Sequence, residues 1–70
     1  MESWASLSPL RRARVSRGIS LLRVALETGI PEGRLSAAER HLARLTHAER
    51  RLLARYFDTH EAALFDEVVQ

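Results

Sequence analysis

Seventy residues hold one domain at most, and a chain of that size buries only about 60% of the surface its unfolded form exposes, so its core is small. A hydrophobic content of 46% with no cysteine excludes a disordered chain, a disulfide framework and a thiolate metal site, and leaves helical packing, completed by oligomerisation, to supply stability. All eleven basic residues are arginines at or before Arg55; against Glu2, Glu27, Glu32, Glu39 and Glu49 they give residues 1–55 a net +6, whereas Asp58, Glu61, Asp66 and Glu67 give residues 56–70 a net −4.

Residues 1–8 read as an N-terminal arm and residues 9–70 as one all-α unit. The stretch "SPLRRARVSRG" opens with Ser8 as N-cap, puts Pro9 where its missing N–H costs nothing, and stops at Gly18, which predicts helix 1 over residues 9–17. Ser20 caps "LLRVALET", in which Leu21, Val24, Ala25 and Thr28 share a face, and Gly29 ends this second helix. Helix 3 starts at Pro31; Leu35, Ala38 and Leu42 give it one apolar side, and it is expected to run on through Leu42. "SAAE" at residues 36–39 also fits a capping box, but it would start a helix inside helix 3 and is set aside.

"THAE" at residues 46–49 is a capping box in which the Thr46 hydroxyl accepts from the Glu49 N–H and the Glu49 side chain returns to the Thr46 N–H; helix 4 follows, to about Phe57. "DTHE" repeats the device with Asp58 and Glu61 and opens a C-terminal helix over residues 59–69, carrying Leu64, Phe65, Val68 and Val69. Nothing reads as a strand. The fold class is a compact five-helix all-α domain.

Two short helices joined at a tight glycine turn form the pattern of a helix-turn-helix, whose second helix enters the DNA major groove. The fuller string "RGISLLRVALETGIPEGRLSAAER" resembles the XRE-type helix-turn-helix family, which includes phage Cro proteins and phage repressors. The likeness covers most of the chain: Leu10, Ala13, Arg14 and Gly18 in helix 1, Ile19 and Ser20 after it, Val24 and Ala25, Gly29 and Ile30, Leu35 and Ser36, Glu39 and Arg40, then "LARYFDTHEAALF". The resemblance implies a lambda-repressor-like fold with helices 2 and 3 as the helix-turn-helix, and an ion pair between Arg14 and Glu39 that holds helix 3 in place. Two solvated surface charges are the plainer alternative. The chain departs from the family at Leu21 and Glu32, where phage repressors place polar residues, often glutamine, and at His41, which stands where a glycine is usual.

On a recognition helix the outward residues are Glu32, Gly33, Ser36, Ala37 and Arg40, with Arg34 at the flank. Arg34 can read guanine bidentately or sit on a phosphate, Ser36 can exchange hydrogen bonds with a base edge, and Ala37 can touch a thymine methyl. Glu32 either accepts from cytosine N4 or favours the positive helix start as an early-turn acid. Gly33 costs a helix about 1 kcal/mol, so it either permits close backbone approach or marks a frayed first turn. Arg11, Arg12, Arg17, Arg23, Arg40 and Arg44 form a phosphate-contacting set, with the Ser20-capped start of helix 2 as a second anchor. Each of these arginines is equally readable as an ordinary solvated charge.

Val15, Leu22 and Leu26 fall where the family leaves positions exposed, a patch that calls for a cover. The arm, with Trp4 and Leu7, or a protein partner supplies it. Leu64, Phe65, Val68 and Val69 form the expected homodimer surface, which leaves Asp66 and Glu67 facing away from DNA.

An enzyme is not expected: there is no glycine-rich phosphate loop, no cysteine nucleophile, and no metal-ligand spacing among His41, His47 and His60. These histidines read as surface, turn or helix-start residues, and no cofactor is expected. No apolar run approaches the roughly 20 residues of a membrane span, and "MESWASLSPL" lacks the order of a secretory signal. The expectation is a cytoplasmic, sequence-specific transcriptional regulator of prokaryotic, phage or mobile-element context. It is nucleoid-associated when bound to double-stranded DNA, and represses by promoter occupancy. The alternative is a protein-interaction module, an antirepressor or antitoxin-like adaptor, built on the same fold.

Overall fold

Hydroxyl side chains set three of the helix starts, and left-handed residues set four of the helix ends. A computed structural model describes residues 7–65 of the chain. They form α1 (Pro9–Ser16), α2 (Leu21–Thr28), α3 (Glu32–Glu39), α4 (His47–Tyr56) and α5 (Glu61–Leu64), with no strand among the described residues. Ser8 Oγ accepts from the Arg11 N–H at 3.1 Å, Ser20 Oγ from the Arg23 N–H at 3.0 Å, and Thr46 Oγ1 from the Glu49 N–H at 3.1 Å. Each satisfies one of the donors that a helix start leaves without an intrahelical partner. Thr46 is a full capping box, since its own N–H donates to Glu49 Oε1 at 2.8 Å.

The stops follow one geometry in three places. Gly18, His41 and Asp58 have φ of 66°, 61° and 56°. In each case that residue's N–H returns to the carbonyl three residues back, and the next N–H returns to the carbonyl five residues back: Ile19 to Arg14 at 3.2 Å, Leu42 to Ala37 at 2.8 Å, Thr59 to Ala54 at 2.9 Å. This is the Schellman closure. The fourth stop is the Gly29 turn between α2 and α3, at φ 83°, with its N–H on the Ala25 carbonyl at 2.8 Å.

His41 and Asp58 correct two expectations. α3 does not run on through Leu42: the left-handed His41 turns the chain, and Leu42 is 69% exposed, off the apolar side it was expected to share. Likewise, Asp58 does not open a capping box with Glu61, because its backbone is already the left-handed stop of α4. His60 precedes α5 with no side-chain cap, and Glu61 is the first helical residue. The expected helix beyond residue 65, with Val68 and Val69, and the arm residues 1–6, with Trp4, lie outside the described residues.

The core is Leu10 from α1, Val24 from α2, Leu35 from α3, Leu53, Ala54 and Phe57 from the α4 end, Leu64 from α5, and Ile30 and Leu45 from the connectors. Leu35, Leu53 and Val24 are the largest fully buried side chains, each worth about 1.5–3 kcal/mol in burial. Leu64 is 2% exposed inside this cluster and Phe65 packs partly against it. Leu64 is therefore core, not dimer surface: it is buried where α5 packs on α1 and α4 within the protomer. Arg17 ties the ends of α1 and α4 together, donating to the Phe57 carbonyl at 3.0 Å with its guanidinium 5.3 Å from the Phe57 ring centre.

Candidate functional site

α3 is held at both ends by arginine–glutamate pairs. At its C-terminal end Glu39, itself buried, receives the Arg14 guanidinium side-on, Nε to Oε2 at 2.7 Å and Nη2 to Oε1 at 3.0 Å. Arg14 Nη1 also donates to the Ile19 carbonyl at 3.0 Å, so one arginine joins α1, the α1–α2 turn and α3. The hydrogen bond to Glu39 holds the Arg14 pKa above its ordinary value. Charge-assisted, bidentate geometry of this kind suits arginine alone among the cations.

At the other end of α3 the polarity is reversed. Arg34 on α3 donates from Nε to Glu49 Oε2 at 2.9 Å and Oε1 at 3.1 Å, and from Nη2 to Oε1 at 2.8 Å, with a longer Nη2 contact of 3.4 Å to the Arg44 carbonyl. Glu49 is the same residue that completes the α4 capping box. The Arg34 guanidinium, together with the Thr46 N–H, pulls the Glu49 carboxyl down to about 2. Arg34, expected at the flank of the outward face, turns its side-on edge onto α4.

Between the clamps lies the outward side of α3. Glu32, Gly33 and Arg40 are exposed and Ser36 and Ala37 half-buried, while Leu35 and Glu39 face inward. Glu32 is the first helical residue after Pro31, where an acid complements the helix dipole and where α3 has no side-chain cap. A Cβ built on Gly33 meets nothing within 4 Å, and its φ is not in the left-handed region, so neither packing nor backbone geometry within the molecule calls for glycine there. Arg40 is exposed, with Nε at 3.4 Å from the Ser36 carbonyl.

The remaining arginines divide between structural and surface roles. Arg12 donates to the Leu7 carbonyl at 2.9 Å and Arg17 to α4, whereas Arg44 is exposed on the α3–α4 connector and Arg11 is half-buried. Arg23 pairs with Glu27 one turn on, at 3.2 Å. Glu27 also accepts from the Tyr56 hydroxyl, across from α4. That hydroxyl first, and Arg23 second, lower the Glu27 pKa, while Glu27 raises that of Tyr56. The Arg23–Glu27 pair was legible from its i,i+4 spacing, but the Tyr56 and Arg34 contacts carry no local signal.

Val15, Leu22 and Leu26 are 42%, 53% and 75% exposed, and Leu22 and Leu26 lie one turn apart on the outer side of α2. A separate concavity of about 420 Å³ is bordered by Leu10, Leu42, Leu45, Leu64 and Phe65; among the described residues its titratable lining is His41, Arg44 and Arg50, with no carboxylate. Among the described residues no three histidine or acidic side chains group as a metal site, and no helix is long and apolar enough to cross a membrane. Comparison with family models, curated proteins and solved structures yields no match to this chain.

Proposed function

We propose that this chain is a sequence-specific DNA-binding transcriptional regulator with a lambda-repressor-like fold, in which α2 and α3 form the helix-turn-helix and α3 enters the major groove. The observation that carries the reading is the state of α3. Both of its ends are fixed by bidentate ion pairs, and its outer side carries the exposed Gly33 and Arg40 with the small, half-buried Ser36 and Ala37 between them. Small side chains there let a base edge or sugar–phosphate backbone approach closely. The Ser20-capped start of α2 and the exposed Arg23, Arg40 and Arg44 supply phosphate-directed groups nearby. The net +6 of residues 1–55 favours a polyanion in general. A homodimer presents two α3 helices to half-sites about one DNA turn apart, and repression then follows from occupancy of a promoter. A monomer by light scattering at high protein concentration removes the dimer.

The test is retention of genomic DNA fragments at several salt concentrations, followed by sequencing of what is retained. Specific sequences held with a steep salt dependence support the regulator, because phosphate contacts release counterions. Gly33→Ala sharpens the result: it fills open space and so raises folding stability by up to about 1 kcal/mol, while lowering DNA retention if α3 docks closely.

A second reading, the protein-interaction adaptor, rests on Leu22 and Leu26, whose exposure is high for leucines one turn apart. No DNA retention at low salt favours it.

A further inference from the structure

Arg34 is the one cation on α3 whose guanidinium is bound by a carboxylate from α4, and that contact bears on how a DNA sequence is read. The inference rests on the DNA-binding reading above. Guanine recognition by arginine needs two adjacent N–H groups presented together to O6 and N7. In this structure the side-on pair, Nε and Nη2, faces Glu49 at 2.8–3.1 Å, and Nη2 also faces the Arg44 carbonyl at 3.4 Å. Nη1 makes no hydrogen bond among the described residues. Glu49 is not free to follow Arg34 outward, because the Thr46 N–H holds its Oε1 at 2.8 Å in the capping box.

We propose that Glu49 is a specificity-determining residue: it withholds Arg34 from the bases, so that Arg34 meets DNA through Nη1 as a phosphate contact while base reading falls to the Gly33, Ser36 and Ala37 side of α3. The remaining amino group, Nη1, presents its two N–H donors from one nitrogen and suits a phosphate oxygen, which positions the protein and carries no sequence information. Glu49, neutralised by Arg34, in turn avoids repelling the phosphates near the start of α4.

The test selects duplexes from a random-sequence pool with the full-length chain and its variants, and measures affinity against salt for the selected sequences. Arg34→Ala is expected to weaken all sequences alike, to lower the slope of log affinity against log salt by about one, and to leave base preferences unchanged. Arg34→Lys, a point charge that serves a phosphate but not a bidentate base contact, keeps both slope and preferences. Glu49→Gln retains an acceptor for the capping box but releases Arg34; it is expected to acquire a guanine preference of about fivefold or more at one position, which adding Arg34→Ala abolishes. Loss of preference at one base pair in Arg34→Ala or Arg34→Lys alone overturns the proposal, as does a Glu49→Gln protein that is folded by circular dichroism and keeps the original preferences. The two Arg34 variants decide the matter even where Glu49→Gln does not fold. Wild-type protein that retains no duplex at any salt overturns the DNA-binding reading itself, and this inference with it.

Discussion

The two clamps on α3 use the same chemistry in different surroundings. Arg14 and Glu39 are 14% and 5% exposed at their side chains, Arg34 and Glu49 36% and 23%. The difference decides what each does. A buried ion pair stabilises conditionally: desolvation offsets much of its attraction, yet removing one partner strands a charge in the interior. An exposed pair is screened by water and salt, so it contributes little to stability. The inner clamp therefore locks α3 to α1, and the outer one leaves a cation at the rim whose partner can compete with an external ligand.

The strongest way to break this comparison is Arg14→Met, which leaves Glu39 buried without its cation. It is expected to lose about 3–5 kcal/mol in urea unfolding, and the double change with Glu39→Leu to recover much of that loss by removing the stranded carboxylate. A stability change indistinguishable from that of Arg34→Ala would mean that burial does not separate the two clamps.

His41→Gly, next to the inner clamp, leaves both pairs intact and relieves the left-handed backbone at φ 61°. A gain of up to about 1 kcal/mol in thermal unfolding is expected, the left-handed penalty being partly offset by the greater chain entropy of glycine. A loss would mean that the imidazole holds the α3 stop by contacts of its own.

Arg34→Ala should cost less stability than Arg14→Met, and the loss should shrink in high salt, as screening of an exposed pair requires. The smallest effect concerns pH. Because the folded Glu49 carboxyl sits near 2, below its ordinary 4.5, its contribution is present above about pH 4.5 and disappears as pH falls toward 2. In Glu49→Gln that segment of the acid-unfolding curve should flatten. An unchanged curve would remove Glu49 from the acid response.

Much of the architecture was readable from punctuation. Ser8, Pro9 and Gly18 frame α1, Ser20 and Gly29 frame α2, and the Thr46–Glu49 box opens α4, all through contacts spanning three to five residues. The misreadings have a common cause. His41 and Asp58 stop helices in a left-handed conformation that glycine advertises and these residues do not, although aspartate and histidine tolerate it better than most. Reading Asp58 as a cap and Leu42 as helix followed directly. Leu64 was misassigned because an apolar residue near a chain end looks the same from sequence whether it faces its own core or a second copy.

The site divides along the same line. Sequence by itself determined which residues sit on the outer side of α3, since helical spacing alone puts Gly33, Ser36, Ala37 and Arg40 opposite Leu35 and Glu39. It also determined the charge polarity of the chain. Only the tertiary structure decided that Arg34 turns away from that side onto Glu49, fifteen residues along the chain, and that Glu27 meets Tyr56, twenty-nine residues on. A guanidinium at the end of a long side chain reaches several neighbours, and which carboxylate it finds depends on how the packed leucines and Phe57 set α4 against α2 and α3.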